Sequence, residues 1–354
     1  MERDFVEKIL AAAVQAPSAD NLQPWRFRVR EDSISLYLTA ERSADYLGSA
    51  MAFLACGAAI ENMTLTARAE GYEALVRLFP DAQDNNHIAD VSYTKVSAPT
   101  SEPLAEHIPK RVTNRRYYKE RKLETEAMRA LEESARISGE EIQVQFIEDK
   151  SALKVVAEGL ATGIRMQLEN EEIHRFFYKH LRFTPEDIAS TKDGIPLKAM
   201  SLNALTTFEL KLMRSWRMAK IASLFGASHM GADSYAERYL ASSAFAALYL
   251  SGNSDRDFVV GGRAIQRLWL KATELGLAVQ PIAGLFIGQG ADGEKLTDLE
   301  MLSEKQYHIV EKDYREIRSV LDMENKVLAI VLRLGYARPP AARSLRKEPI
   351  IITK

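Results

Sequence analysis

Apolar and polar positions in the first hundred residues alternate in a way that predicts a small α+β unit. Residues 4–16 have the spacing of an amphipathic helix, and 25–40 alternate in two runs around a polar turn, which predicts two strands. Residues 48–71 are apolar on most sides and end on a glycine, which is typical of a buried helix with a glycine cap. Two further strand-like runs follow, ALVRLF and IADVSYTKV.

The pattern restarts after the Ser- and Pro-containing segment 97–103. A helix is predicted over 123–137, a strand over 142–149 and a long helical stretch over 150–179. Residues 180–240 are less regular and rich in methionine. Three elements then follow, namely the strand-like AFAALYLSG, a helix over 255–276 and the late strand KVLAIVLRLGY.

The two halves contain an internal similarity. Residues 57–71 and 262–276 align without gaps, and 6 of the 15 aligned positions are identical. Two unrelated buried helices that use small residues and end on glycine would give the same similarity. A duplicated unit is the other explanation, and it is favoured because a predicted helix precedes the similar helix in each half.

Composition narrows the class of protein. The chain has 354 residues, of which 46% are hydrophobic and 27% charged, so it can form a full core. Lys and Arg number 47 against 49 acidic residues, which argues against a general nucleic-acid or anionic-membrane surface but leaves room for a local basic pocket. No secretory pattern or long uncharged apolar run is visible, and the single Cys56 is expected to be a small buried hydrophobe. We therefore expect a soluble cytoplasmic protein.

One segment has the spacing of an anion site. Arg111, Thr113 and Arg115 occupy alternate positions in KRVTNRRYY, so in an extended backbone their side chains point the same way. Two guanidinium groups and a hydroxyl suit a phosphate monoester. The alternative is a solvated basic run ahead of a helix.

Other candidate motifs are weaker. GQGADG (288–293) matches a dinucleotide fingerprint, but no βαβ pattern surrounds it, and the prediction is a plain loop. The six histidines include no pair spaced for a metal, and no nucleophile motif of the form G-x-S-x-G occurs. We predict neither a metal site nor a catalytic side chain, which points to a cofactor that carries the chemistry.

Four motifs resemble those of the FMN-dependent nitroreductase family. APSADNLQPWRF resembles its A-P-S-x-x-N-x-Q-P-W segment, and RVTNRRYY resembles its R-x-S-x-R phosphate motif with Thr in place of Ser. ATELGLAVQPIAGLF (272–286) is similar to the helix end and P-x-x-G segment beside the flavin ring. LRLGYARPPAARSLRKEPIII is similar to the family's tail, which carries an arginine near its end.

The order of these motifs implies a fused dimer. In common family members the phosphate motif precedes A-P-S-x-x-N, whereas here it follows by about ninety residues. The chain is similar to the single-chain, Acg-like type, whose fold is α+β with two related lobes and mixed sheets flanked by helices. The expected first lobe is 1–100 and the second is 101–354, with a candidate lid insertion at about 180–240. The first lobe has the A-P-S-x-x-N segment but no phosphate motif, and the second lobe has the phosphate motif but no A-P-S-x-x-N segment. The resemblance therefore implies one FMN per chain.

The resemblance also implies which residues hold the cofactor. Arg111, Thr113 and Arg115 would bind its phosphate, and Ser18 and Asn21 would contact the ribityl chain or ring edge. Pro281, Ala283 and Gly284 would line the ring. Arg346, or alternatively Arg343, would close on the phosphate.

The implied activity is that of an oxidoreductase, with NAD(P)H as the transient donor and a nitroaromatic, quinone or similar small molecule as the acceptor. The alternative is a flavin-binding protein that sequesters FMN under a lid, with Met200, Met213, Trp216, Met218 and Met230 as its adaptable apolar residues. A degenerate lobe pair without flavin is the third interpretation. We expect no nucleic-acid or membrane partner, and a monomer because the dimer is fused. The sequence does not indicate whether NADH or NADPH is the donor.

Overall fold

The first lobe is a four-stranded sheet with two helices. The computed structural model describes residues 1–39, 48–97, 101–282, 301–321 and 326–353. The elements of the first lobe are α1 (Arg3–Ala13), β1 (Trp25–Val29), β2 (Ser33–Leu38), α2 (Gly48–Ala69), β3 (Tyr72–Leu78) and β4 (His87–Lys95). The strands predicted from alternation are therefore present.

The second lobe contains a second four-stranded sheet and a large helical insertion. Its elements are α3 (Thr125–Ser134), β5 (Ile142–Ile147), α4 (Lys150–Glu169), α5 (Glu171–His180), β6 (Leu181–Arg182), α6 (Pro185–Thr191), β7 (Ile195–Pro196), α7 (Ala204–Leu212), α8 (Trp216–Leu224), α9 (Ala227–Leu240), β8 (Ala244–Leu250), α10 (Asp255–Glu274), β9 (Ala278–Ile282), α11 (Glu304–Val320) and β10 (Val327–Gly335).

The two sheets have the same topology. The first has the strand order β1-β2-β4-β3, the second has the order β5-β8-β10-β9, and every neighbouring pair within them is antiparallel. Without the inserted helices, each lobe runs helix, strand, strand, helix, strand, strand. The α+β class with two related lobes is thus confirmed. The boundary at residue 100 lies outside the described residues and stays a prediction.

A segment from elsewhere in the chain forms a parallel bridge with one edge strand of each sheet. The C-terminal tail runs beside β1, where the Phe27 amide donates to the Ile350 carbonyl and the Ile352 amide donates to Phe27, both at 2.8 Å. Thr113 pairs in the same parallel sense with Val279 of β9. The tail of the second lobe therefore completes the sheet of the first.

The insertion between β5 and β8 is more regular than the sequence indicated. Residues 204–240, expected to be irregular, form the three helices α7, α8 and α9. Polar caps delimit the long helices: the Asp149 carboxylate accepts hydrogen bonds from the amides that begin α4, and Asn170 does so for α5. Helices α7, α8 and α9 are short and separated by turns, so their apolar periodicity was not evident in the sequence.

The lobes meet where α2 crosses α10 at van der Waals distance. A Cβ atom at Gly57 would lie 1.9 Å from the Val259 carbonyl oxygen, and one at Gly262 would lie 2.0 Å from the Leu54 carbonyl oxygen. In the alignment of 57–71 with 262–276, Gly57 matches Gly262 and Leu54 matches Val259. The two contacts are therefore exchanged by a pseudo-twofold axis, as expected for a duplicated unit.

Polar groups at the same crossing obey the same symmetry. Buried Glu61 accepts hydrogen bonds from Arg263 at 2.8 Å and from Arg267 at 2.9 Å. The Gln266 amide donates to Asn62 at 2.6 Å, and this pair is the symmetry equivalent of Glu61 with Arg267. Two guanidinium partners satisfy the buried carboxylate, so the interface fixes the register of the two helices.

Among the described helices, α2 contains one stretch, Ala50–Ala69, that is long and apolar enough to cross a membrane. Because 89% of the best window in that stretch is buried inside the protein, packing between the lobes accounts for its apolar character.

Substitution of Gly262 by Ala tests the helix crossing. The added methyl would overlap the Leu54 backbone, so we expect a loss of at least about 3 kcal/mol in the free energy of unfolding. Gly163→Ala is the matched control, because a Cβ there meets no atom within 4 Å. In that variant we expect a gain of ~0.5–1 kcal/mol from helix propensity. Urea denaturation measures both, and similar effects at the two positions would contradict the crossing.

Candidate functional site

A cavity of about 350 Å³ lies between the lobes, within the ~300–1,000 Å³ range of ligand pockets. Both lobes, the insertion and the C-terminal tail contribute to its wall. The residues that argue for its chemistry are Gln15, Ser18, Asn21, Arg111, Thr113, Arg115, Trp269, Pro281, Arg343 and Arg346.

The loop after α1 reaches the cavity through a strained backbone. Asp20, Asn21 and Gln23 have φ values of 46°, 57° and 56°, in the left-handed region that costs L-residues roughly 1–2 kcal/mol each. The Ser18 hydroxyl accepts a hydrogen bond from the backbone amide of Gln23 at 3.0 Å, and this bond closes the loop. Strain held in this way is typical of functional loops.

Gln23 joins three distant segments. Its buried side-chain amide donates to the Lys192 carbonyl at 2.9 Å, and its side-chain oxygen accepts from the Lys347 amide at 2.8 Å. The Lys347 ammonium pairs with Asp193 at 2.6 Å. We call this set of contacts the Gln23 clasp, because it ties the first lobe to both the insertion and the tail.

Asp193 in the Gln23 clasp is held ionised. Burial raises the pKa of its carboxyl, but hydrogen bonds and charges from Lys347 and Arg182 outweigh burial and hold that pKa well below its usual range. The carboxylate therefore stays charged at any physiological pH and keeps the tail in place.

The basic motif lies extended along the edge of the second sheet. The Asn114 amide donates to the Val279 carbonyl at 2.8 Å, and this pairing sets Arg111, Thr113 and Arg115 at alternate positions on the cavity wall. Arg111 is 4% exposed, stacks over the Trp269 ring at 4.5 Å and donates to the Gln15 carbonyl at 2.8 Å.

Two arginines of the tail join Arg111. Arg343 donates to the Arg111 carbonyl at 2.8 Å, and Arg346 donates to the side-chain oxygen of Asn21 at 2.6 Å. Both line the cavity, so the alternatives left by the sequence lie in one cluster. We name Arg111, Arg343 and Arg346 the arginine cluster.

The arginine cluster is short of negative charge. Burial, and then the charges of Arg346 and Arg343, lower the pKa of Arg111 well below its usual value. Burial and Arg343 lower the pKa of Arg346 to about 10. Across the described ranges none of the three has an ion-pair partner, and the Nε atoms of Arg111 and Arg346 are buried without a hydrogen-bond partner. Such a site favours an anion with several acceptor oxygens.

Most of the residues predicted from the sequence lie on this cavity. Ser18, Asn21, Pro281 and Arg346 line it together with the basic motif. Ala283, Gly284 and the 288–293 loop lie outside the described residues. The roles assigned to all of these residues remain predictions.

The insertion contributes walls that the sequence did not indicate. Phe176 and Phe177 of α5 and Tyr235 of α9 line the cavity. Of the five residues named for a lid, only Met200 does so. Met213 packs against the core of the insertion, Met218 and Met230 are exposed, and Trp216 lies 5.2 Å from the His174 ring. Helical spacing alone could not say which methionines face inward.

The fold and the cavity define a two-lobed α+β protein with an arginine-lined cavity at the lobe interface. No protein-family model matches the chain. Over 351 residues it is 28% identical to uncharacterized protein MT1398 of Mycobacterium tuberculosis (strain CDC 1551 / Oshkosh), covering 96% of this chain and 47% of that protein. The chain thus spans about half the length of this relative.

A second relative carries a functional name. "Putative NAD(P)H nitroreductase Rv3131" of Mycobacterium tuberculosis (strain ATCC 25618 / H37Rv) is 35% identical over 121 residues, which are 33% of this chain and 35% of that protein. "Putative NAD(P)H nitroreductase acg" of the same strain is 31% identical over 94 residues, 26% of this chain and 28% of that one. The sequence resemblance to Acg-like nitroreductases is confirmed over these segments.

Solved structures of low identity also resemble the chain. A nitroreductase with bound FMN from Bacteroides fragilis has a TM-score of 0.40 at 11% identity, covering 72% of this chain and 100% of that one. The nitroreductase NfnB of Mycobacterium smegmatis in complex with NADPH has a TM-score of 0.37 at 18% identity, covering 66% and 87%. At these scores neither structure assigns a residue of the cavity.

Substitution of Gln23 by Ala tests the Gln23 clasp. It removes the bonds to Lys192 and Lys347 and leaves two partly buried backbone groups unsatisfied, so we expect a loss of about 1–3 kcal/mol in the free energy of unfolding. The tail should also be cleaved faster by a protease. Gln23→Glu is the matched control, because it keeps the acceptor for the Lys347 amide and should retain part of the protection. Unchanged tail proteolysis in Gln23→Ala would contradict the clasp.

Inorganic phosphate tests the arginine cluster. We expect phosphate to raise the melting temperature of the ligand-free protein, because it supplies the missing negative charge. Arg346→Gln should weaken phosphate binding about tenfold or more, which corresponds to the loss of a charged hydrogen bond of ~1.5–3 kcal/mol. Arg116→Gln is the control, because the Arg116 side chain bonds the Pro339 carbonyl and is not part of the cavity wall. Equal loss in both variants would place the phosphate elsewhere.

Proposed function

We propose that the chain binds one FMN in the cavity between its lobes and acts as an NAD(P)H-dependent oxidoreductase on a small two-electron acceptor such as a nitroaromatic or a quinone. The observation that carries the proposal is the arginine cluster, three cations without an ion-pair partner among the described residues. A phosphate monoester supplies the charge and the acceptor oxygens that these groups lack. The named mycobacterial relatives support the same class of activity.

The cavity has room and suitable walls for the rest of such a cofactor. Its volume of about 350 Å³ falls within the usual range for ligand pockets. Met51, Leu54 and Ile265 give the cavity an apolar part, in addition to the polar loop that carries Ser18 and Asn21. An amphiphilic ligand with an anionic end matches this division.

We assign the binding roles accordingly. Arg111, Thr113 and Arg115 hold the phosphate, and Arg346 closes on it while it orients the Asn21 side chain. Ser18 keeps the loop closed through its bond with the Gln23 amide. Pro281, Ala283 and Gly284 are assigned to the ring. Bound FMN would supply the two-electron chemistry, while these residues orient it and exclude water.

A second candidate function is the sequestration of FMN with little turnover. The observation that favours it is that the insertion supplies part of the cavity wall, including Phe176, Met200 and Tyr235. A wall of this kind would restrict access of a nicotinamide or an acceptor. Two related lobes without any flavin are the remaining alternative.

The absorption spectrum of the purified protein, recorded anaerobically before and after NADH or NADPH, separates the two candidates. Flavin bands that bleach within seconds are the expected result for a reductase, and a faster rate with one donor would identify it. Flavin bands that persist would favour sequestration. A colourless protein that also fails to take up added FMN would contradict both.

Replacement of Arg111 and Arg115 by Ala tests the assignment of the phosphate. We expect a folded protein that purifies without flavin, with an affinity for added FMN at least about a hundredfold lower, because two charged hydrogen-bonding groups are lost. Arg116→Ala, in the same segment but outside the cavity, should keep its flavin. Unchanged flavin content in the double variant would overturn the assignment.

A further inference from the structure

Helix α7 in the insertion has apolar side chains on two opposite sides. Leu210 and Met213, at its inner side and end, pack against a cluster that contains Tyr178 and Met200. On its other side Leu205, Phe208 and Leu212 are 66%, 64% and 50% exposed. These three residues follow a spacing of three and four, so they lie on one face. Large apolar side chains on one face of a helix are normally buried, yet at least half of each of these three is exposed.

Helix α8 repeats the arrangement. Ala219 is fully buried on its inner side, while Ile221, Leu224 and Phe225 are 50%, 79% and 84% exposed. Met218, one turn earlier, is 39% exposed. We call the outer residues of both helices the α7–α8 apolar face: Leu205, Phe208, Leu212, Met218, Ile221, Leu224 and Phe225.

Cations border this apolar face. Lys211, Arg214, Arg217 and Lys220 are all exposed, and Glu209 is the single acidic residue between 205 and 225. In the described part of the protein none of the four cations forms an ion pair. Over the whole chain acidic residues slightly exceed Lys and Arg, so this segment departs in sign from the rest of the sequence.

The inner sides of the two helices are firmly attached. The Tyr178 hydroxyl donates to the Leu210 carbonyl at 2.9 Å, and the Ser223 hydroxyl donates to the Leu168 carbonyl at 3.0 Å. The inner side of α7 is thus bonded to α5, and the inner side of α8 is bonded to α4, which leaves the outer sides exposed.

We propose that the α7–α8 apolar face docks onto the surface of an anionic lipid bilayer. Large apolar side chains on one face, bordered by Lys and Arg, are the features of a helix that lies in the bilayer interface. The apolar side chains would enter the headgroup boundary, and Lys211, Arg217 and Lys220 would face the anionic headgroups. The fourth cation, Arg214, stacks over the Phe183 ring at 5.0 Å. No helix crosses the bilayer in this arrangement.

A second copy of this chain fits the face less well. A symmetric dimer would bring Lys211, Arg217 and Lys220 of one copy towards the same cations of the other, with one carboxylate from each to offset them. Like charges so placed destabilise the contact, whereas an anionic bilayer neutralises them. Charge complementarity therefore selects the bilayer.

Flotation of the full chain with vesicles tests the proposal. We expect the protein to float with phosphatidylcholine vesicles that contain phosphatidylserine and to stay behind with phosphatidylcholine alone. Arg217→Gln with Lys220→Gln should lower the partition coefficient about 30-fold. Phe225→Ser should lower it about tenfold or more, because an inserted aromatic side chain is lost. All three substituted side chains are exposed, so folding should be unaffected, which circular dichroism checks.

Matched controls lie elsewhere on the surface. Lys150→Gln with Lys312→Gln removes two exposed cations outside the segment, and Leu75→Ser removes a leucine of the first lobe that is 72% exposed. Neither should change the partition coefficient. Absence of flotation, or equal losses in the controls, would overturn the proposal. So would a dimer in sedimentation velocity that Phe225→Ser dissociates, without flotation. The test does not depend on bound flavin, so its failure leaves the proposed activity untouched.

Discussion

The contact between two glycines and two helix backbones determines the arrangement of this molecule. At Gly57 and Gly262 nothing larger than a hydrogen atom fits between α2 and α10. Their approach brings Met51 and Leu54 of one helix and Ile265 and Trp269 of the other onto a single cavity. Burial of Glu61 against Arg263 and Arg267 then fixes the register along the same helices. The geometry of the cavity therefore follows from the packing of the duplicated helices.

The cavity itself is asymmetric although the lobes are related. The first lobe contributes a strained polar loop, whereas the second contributes the basic motif, the tail and an insertion with no counterpart between β1 and β2. Positive charge gathers on one side, where burial disfavours it and an anion would compensate it. Because each duplicated half contributes different segments to the cavity, the segments that meet there are far apart in sequence.

Local pattern was sufficient to predict most elements outside the insertion and the relation between the lobes, but not the helices of 204–240 or α11. The six matches between 57–71 and 262–276 include the two glycines of the crossing, because only glycine allows such an approach. Alternation predicted one side for Arg111, Thr113 and Arg115; all three line the cavity, and so does Val112 between them.

What could not be predicted depends on contacts between distant residues. Gln23 has an ordinary turn context, and its bonds to Lys192 and Lys347 have no signal in local sequence. Methionine content suggested a lid, yet only the packing of the insertion decides that Met200 faces the cavity and Met218 faces outward. Periodicity likewise gave no warning that the outer sides of α7 and α8 would lack a covering element in the described structure.

The strand that the tail adds to the first sheet has a consequence for how the molecule is made. Phe27 in β1 pairs with Ile351, about 320 residues later in the chain. During synthesis the first lobe emerges early with this edge of its sheet unpaired, and an unpaired edge is exposed to wrong partners. The same late segment brings Arg343 and Arg346, so the first lobe and the arginine-lined cavity are completed in one closing event. Contacts of such long sequence separation form slowly, so this closure is expected to be a late step in the folding of the two lobes.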